Sequence, residues 1–327
     1  MTPLEPAARE SERSFPGREG EGARLPRPRS GVPEAAPDGP ALEALLRAAL
    51  DEDIGSGDLT SRTAVPEGAR ARARLVAKQE GVLAGLGCFA RVFALCDPGV
   101  VFESTRHDGE TVAPGDELAR LEGNARALLM AERTALNLIQ RLCGIATRTA
   151  SYVRIVEALQ GERPVRILDT RKTTPGLRAL EKYAVRCGGG ENHRFGLSDE
   201  VMLKENHIDL AGRSIALVLA DLRAAVGDGA RITAEARDAQ EAREAIQGGA
   251  DVVLLDNMTP DQMAALVPDL RELGSARGRD LELEASGGIG ADDLRAVAAS
   301  GVDRISIGAL THSVSALDLS LYLEPLR

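Results

Sequence analysis

The spacing of apolar positions changes several times along the chain. From Ala41 to Leu50 it is helical, with Leu42, Leu45, Leu46 and Ala49 on one face. Ala71–Ala77 (ARARLVA) alternates, the period of a strand with one face covered. Val82–Ala94 reads as a glycine-bearing turn into a helix, and Val100–Glu122 as short strands joined by Asp-Gly and Pro-Gly turns. A long helix is expected over Asn124–Val156, where Leu128, Leu129, Leu136, Leu138, Ile139 and Leu142 supply apolar faces. Beyond it the chain repeats itself. Apolar runs at Val165–Leu168, Val201–Leu203, Ile232–Ala236, Val252–Leu255, Leu281–Ala285 and Arg304–Ile307 predict strands. Helical stretches separate them at Gly176–Arg186, Ser214–Val226, Ala239–Gln247, Pro260–Leu273 and Asp292–Ala299. This alternation predicts a parallel α/β barrel, complete or open, with a doubly wound sheet as the alternative. No G-x-G-x-x-G follows the first of these strands, so nothing marks a dinucleotide site.

The strand ends bring in chemistry. In order they carry Asp169 with Arg171 and Lys172, then Lys204, Glu235, Asp256, Ser286-Gly287-Gly288 and Gly308. In a parallel barrel the C-terminal strand ends share one face, where active sites form. The last two groups, Ser286–Gly290 and Gly308–His312, suit a phosphate: glycines let backbone N–H groups approach its oxygens. Glu235 and Asp256 suit ribose hydroxyls or a divalent metal, or serve as buried partners of Lys204 or Arg171. Only four lysines occur, and Lys172 and Lys204 both fall at these ends.

Composition narrows the partners. Net charge is −10 and aromatics are 2%, and no basic stretch is dense enough for nucleic acid. An anionic ligand must be drawn in by a local positive cleft. No apolar run approaches the ~18 residues of a membrane span. Cys88, Cys96, Cys143 and Cys187 lack C-x-x-C spacing and no signal peptide is visible, so reduced thiols and a cytoplasmic protein are expected. Met1–Pro40 carries eight of the sixteen prolines and almost no large apolar residues, and is expected to be a disordered tail. Asp51–Thr60 (DEDIGSGDLT) reads as a solvated loop capping the next element, with a metal site as the alternative.

Several motifs resemble one family, quinolinate phosphoribosyltransferase, also called nicotinate-nucleotide pyrophosphorylase (carboxylating). They are DEDIGSGDLT, Ala131–Asn137 (AERTALN), Gly144–Thr147 (GIAT), Asp169–Pro175 (DTRKTTP), Lys182–Arg194 (KYAVRCGGGENHR), Lys204–His207 (KENH), Leu254–Met258 (LLDNM), Ala285–Ile289 (ASGGI) and Gly308–Ser313 (GALTHS). The resemblance implies an N-terminal α/β sandwich domain over 41–150, joined by the C-terminal segment 313–327, and an open α/β barrel over 151–312. It implies magnesium-dependent transfer from phosphoribosyl pyrophosphate to quinolinate, yielding nicotinate mononucleotide, pyrophosphate and carbon dioxide. No organic cofactor is implied.

By the same resemblance, Arg133 is lent across a homodimer interface to the partner subunit's site. Arg171, His193, Arg194 and Lys204 hold the two carboxylates of quinolinate, and Lys172 the pyrophosphate. Glu235 and Asp256 hold ribose hydroxyls and, directly or through water, magnesium. Ser286, Gly287, Gly308 and His312 hold the 5′-phosphate. One departure stands out: Thr233 occupies the first acid of an alternating Glu-Val-Glu common in the family. A related transferase acting on nicotinate, a molybdenum-linked homologue, and a non-catalytic phosphate binder are the competing readings.

Overall fold

The structure, a computed structural model, describes residues 36–159, 164–278 and 280–326. Most of the tail expected over 1–40 lies outside the described residues. Its end does not: Ala36 already packs against the core, and the first helix starts at Pro40.

The first part of the chain runs α1 (Pro40–Ile54), α2 (Leu59–Ala64), β1 (Arg70–Ala77), β2 (Gly81–Val82), α3 (Leu86–Cys96), β3 (Val101–Ser104), β4 (Thr111–Val112) and β5 (Glu117–Asn124). α4 (Ala125–Glu157) is one unbroken helix of 33 residues. Then come β6 (Arg166–Leu168), α5 (Arg178–Cys187), β7 (Val201–Leu203), α6 (Glu205–Ala211), α7 (Ile215–Val226), β8 (Ile232–Ala236), α8 (Ala239–Gly248) and β9 (Val252–Asp256). The chain continues through α9 (Pro260–Ala276), β10 (Glu282–Ser286), α10 (Leu294–Ala299), β11 (Arg304–Ser306), α11 (Ala309–His312) and β12 (Leu319–Pro325).

β1 buries Ala71, Ala73 and Leu75 and turns Arg70, Arg72 and Arg74 outward, where they pair with Glu122, Glu117 and Glu324. It lies between β5 and β12, both antiparallel, in a sheet ordered β12-β1-β5-β3. Asn124 ends β5 and caps α4, its side chain accepting from the N–H groups of Arg126 and Ala127 at 3.0 and 3.2 Å. Within α4, Leu128, Leu136, Ile139 and Leu142 are buried as expected, but Leu129 is exposed. The division expected at residue 150 falls inside this helix.

The second sheet is ordered β6-β11-β10-β9-β8-β7, with every pair parallel. From β7 to β11 sequential strands are neighbours, and β6 pairs with β11, with no reversal of direction across the sheet. That is a barrel winding, not the doubly wound alternative. β6 and β7 stand at opposite ends of the order, which leaves the barrel open between them. β8 and the first four residues of β9 are buried throughout, as strands covered on both faces must be. The capping residues Asp238 and Thr259 start α8 and α9, and Thr259 forms a reciprocal pair with Gln262. One continuous apolar core runs from Leu46 through α4 and the barrel to Leu321.

Asp51–Thr60, expected as a solvated loop, is helical at both ends, and among the described residues it gathers no group of three metal-ligating side chains. Asp51–Ile54 continue α1, and the Asp58 carboxylate accepts from the Ser61 N–H at 3.0 Å to cap α2. The four cysteines are free thiols, and burial pushes Cys88 and Cys187 up to about 12. No helix among the described residues is long and apolar enough to cross a membrane.

Candidate active site

A cavity of about 620 Å³ opens at the C-terminal ends of the barrel strands. Lys172, Glu235, Asp256, Arg171, His193, Arg194, Lys204, Ser286, Gly287, Gly308 and His312 all line it. Arg133, expected to serve the partner subunit's site, is exposed on α4 and does not line this cavity. Asp169 is fully buried beneath it, because Lys182 on α5 draws it inward.

That burial builds the cationic wall. Asp169 Oδ1 accepts from Lys182 Nζ at 2.5 Å and from the His193 N–H at 2.9 Å, and Oδ2 from Asn192 Nδ2 at 2.7 Å. Lys182 Nζ also donates to the His193 carbonyl at 2.9 Å. Burial pushes the Asp169 carboxyl up and the Lys182 ammonium down, and their contact opposes both shifts. The pair therefore ties the His193-Arg194 loop to the strand end. A second brace holds the Lys172 loop. Arg141 on α4 donates to Glu181 at 2.7 and 2.9 Å, to Thr174 Oγ1 at 2.8 Å and to the Thr311 carbonyl at 3.0 Å. The Thr311 hydroxyl in turn donates to the Lys172 carbonyl at 2.8 Å.

The cations so positioned are crowded. Burial lowers the Arg194 guanidinium, and neighbouring Arg171 lowers it further. Among the described residues no carboxylate forms an ion pair with Arg171, Lys172 or Arg194. His193 is turned elsewhere: its Nδ1 accepts from the Arg194 N–H at 2.8 Å, and its Nε2 lies 3.5 Å from Glu284 Oε1. That contact is too long for a full hydrogen bond.

Across the cavity, Lys204 Nζ pairs with Glu235 Oε1. Asp256, on the next strand, accepts from Asn257 Nδ2 at 2.8 Å. Burial raises the Asp256 carboxyl, and Glu235 beside it raises it again. Thr233, the departure noted in the sequence, is buried and bonded to Glu200.

The glycine cup forms where backbone crowds backbone. Gly287 has φ +101, and a Cβ there would lie 2.2 Å from Asn257 Oδ1. Asn257 itself has φ 54, the left-handed region an asparagine tolerates. At Gly308 a Cβ would meet Lys172 Cδ at 2.9 Å and the His312 ring at 3.2 Å. The lysine stem thus lies over the cup.

Sequence reasoning missed Arg148, Tyr152 and Glu284, which also line the cavity. Glu284 is fully buried mid-strand, with Arg304 Nε 2.7 Å from its Oε2. Burial alone would raise its carboxyl, but the His193 ring and Arg304 outweigh burial and hold it below its ordinary value. The signal lies in the strand itself: an acid set between apolar residues at the centre of ELEAS is buried with β10, and its neighbours there are Arg304 and His193.

Residues 58–143 match the family described as Quinolinate phosphoribosyl transferase, N-terminal domain, and residues 145–322 match its C-terminal domain. The chain is 45% identical over 280 residues to a probable nicotinate-nucleotide pyrophosphorylase (carboxylating) of Bacillus subtilis, covering 86% of this chain and 92% of that one. It is 37% identical over 326 residues to the chloroplastic nicotinate-nucleotide pyrophosphorylase (carboxylating) of Oryza sativa, covering 92% and 84%. The crystal structure of NadC from Streptococcus pyogenes matches with a TM-score of 0.80 at 39% identity, covering 88% of this chain and 97% of that one. Human Nicotinic Acid Phosphoribosyltransferase, at 16% identity and a TM-score of 0.52, shares the fold alone. With both domains matched in order across the strands, braces and cup described above, the chain belongs to the quinolinate phosphoribosyl transferase family.

Proposed function

We propose that this protein transfers the phosphoribosyl group of phosphoribosyl pyrophosphate to quinolinate, releasing pyrophosphate and carbon dioxide and leaving nicotinate mononucleotide for NAD biosynthesis. The observation that carries this reading is the set of cavity cations with no carboxylate partner among the described residues, Arg171, Lys172 and Arg194, in a chain of net charge −10. Both reactants are polyanions, so their binding repays the cost of holding like charges together.

Arg171 and Arg194 suit the two carboxylates of quinolinate, since a guanidinium grips a carboxylate through two parallel N–H groups. Lys204, already leaning on Glu235, adds a point charge beside them. His193 serves this pocket by fixing the Arg194 backbone more than by offering a ring nitrogen. Lys172, whose stem lies over Gly308, suits a pyrophosphate extending from a ribose 5-phosphate held in the cup. As pyrophosphate departs, positive charge grows at the anomeric carbon, and Glu235 and Asp256 stabilise it. Attack by the ring nitrogen of quinolinate makes a pyridinium. Its positive nitrogen stabilises the carbanion left on the ring carbon when the adjacent carboxylate breaks away as carbon dioxide, and a proton from water then completes nicotinate mononucleotide.

Magnesium fits this donor set as an ion held mainly by substrate. Among the described residues no three His, Cys, Asp or Glu side chains gather to hold a metal alone, and magnesium characteristically combines one or two carboxylates with phosphates and water. Glu235 and Asp256 are such a pair, and the crowding that raises Asp256 is what a cation relieves. When bound, the ion neutralises charge on the leaving pyrophosphate.

In this reading the protein works as a homodimer in the cytoplasm, with Arg133 entering the partner's cavity. Arg133 is exposed, and so is Leu129 four residues earlier on the same helix face. An exposed leucine beside an arginine that has no ion pair among the described residues is a fitting rim for a subunit contact.

The deciding experiment supplies carboxyl-labelled quinolinate with and without phosphoribosyl pyrophosphate, and nicotinate as rival acceptor. Labelled carbon dioxide should appear only when both substrates are present. Turnover of nicotinate in place of quinolinate overturns the reading.

A further inference from the structure

Arg148 belongs to none of the motifs above. It stands on α4 and lines the cavity, with Tyr152 one turn further along. Its guanidinium is fixed on two sides. Nη1 donates to the Ser313 carbonyl, and Nη2 to the Tyr152 hydroxyl at 3.3 Å. The Tyr152 ring centroid lies 5.7 Å from Cζ. All three partners are neutral.

The neighbouring arginines are different. Arg141, two turns earlier on the same helix, holds Glu181; Arg166 holds Glu282; Arg304 touches Glu284. Among the described residues Arg148 has no ion pair, although it is half-buried and its position is set by two hydrogen bonds. A fixed, half-buried charge without a counterion calls for an anion from outside. A guanidinium also has more N–H groups than the two used here, so donors remain.

Its location selects the anion. Ser313 follows His312, whose Nδ1 lies 2.6 Å from Ser313 Oγ, and Gly308–His312 closes the glycine cup. These residues follow β11, at the β6 side of the sheet, whereas Lys204 and Glu235 stand at β7 and β8 on the other side. Through Ser313, Arg148 therefore adjoins the cup, on the side of the cavity opposite Lys204 and Glu235.

We propose that Arg148 is a further phosphate-binding residue, whose guanidinium grips the 5′-phosphate of the phosphoribosyl substrate across the cup from Gly287 and beside His312. The assignment rests on reading the site as one for phosphoribosyl transfer. It makes α4, and not only the barrel loops, part of the phosphate subsite.

The test uses two probes titrated calorimetrically into the full chain: ribose 5-phosphate, which has only the 5′-phosphate end, and inorganic pyrophosphate, which lacks it. Arg148→Gln keeps an N–H donor for Ser313 but removes the charge; Arg148→Lys keeps the charge. Arg148→Gln should weaken ribose 5-phosphate about tenfold or more, the loss expected of a charged hydrogen bond. Its affinity for pyrophosphate should change less than about twofold, and Arg148→Lys should retain most of the ribose 5-phosphate affinity. Wild-type affinity for ribose 5-phosphate in Arg148→Gln overturns the proposal, as does equal weakening of both probes, or no binding of ribose 5-phosphate by the wild type. Should the glutamine variant not fold, the wild type decides: ribose 5-phosphate should shield Arg148 from phenylglyoxal, and equal modification with and without it refutes the role. None of these readouts needs quinolinate turnover, so failure of the labelled-quinolinate experiment would sink the overall function separately.

Discussion

Gly287 and Lys172 show what the site asks of single residues. Gly287 gives up a side chain so that the turn after β10 can press against Asn257, at a φ other residues avoid. Gly287→Ala should therefore lose about 1–3 kcal/mol of stability through backbone strain and displace the cup. Urea midpoints and the KM for phosphoribosyl pyrophosphate should both worsen. Lys172 and Arg171 are the opposite case, since neither holds the fold together by an ion pair among the described residues. Lys172→Ala and Arg171→Ala should melt within a few degrees of wild type and lose about a hundredfold or more in kcat/KM, as removal of a charged contact to a polyanion implies. Wild-type kcat/KM in either variant would remove its assigned role.

At the scale of elements, the six barrel strands were readable because a buried parallel strand is an apolar run ended by a polar residue. The same rule misled at Asp169. A strand-end acid looks available for chemistry, but Lys182, thirteen residues on, lies within reach once α5 packs down. Short elements escaped notice. α6 has seven residues and α11 four, too few for a helical period to stand out. Arg148 hid for a related reason: on a long helix rich in arginine, spacing alone cannot tell which arginine faces a cavity. Glu284 hid inside a strand whose alternation says only that one face differs from the other.

Glu284 also gives the barrel interior a pH signature. Its folded carboxyl lies below the ordinary glutamate value of 4.5, so ionisation favours the folded state. That contribution is complete above the unfolded value and is lost as pH falls through the lower folded one. Glu284→Gln should flatten the acid limb of the stability curve. Near neutral pH it should cost about 3 kcal/mol, because buried Arg304 keeps only Glu282, at 3.2 Å. Denaturant unfolding from pH 7 down to about pH 3 measures both effects.

For the whole molecule, a shared site across a homodimer has a direct test. Arg133→Ala and Lys172→Ala proteins should each be inactive alone. Mixed and allowed to exchange subunits, they should recover up to about a quarter of wild-type activity, since half of the dimers are then mixed and each has one intact site. No recovery after verified exchange would place Arg133 outside the partner's cavity.

The course of β12 was not written in its own residues. LSLYLEP alternates well enough for a strand, but nothing local says that it joins β1, about 250 positions away along the chain. That pairing has a price in time. During synthesis, β1 leaves the ribosome with one of its edges bare, and the strand that covers it is made only after the whole barrel. Alternating alanine and arginine along β1 keeps that waiting edge charged, which discourages strand-to-strand clumping among nascent chains. Refolding from denaturant should accordingly be slow, limited by the closing of this long loop after the parallel strands have formed.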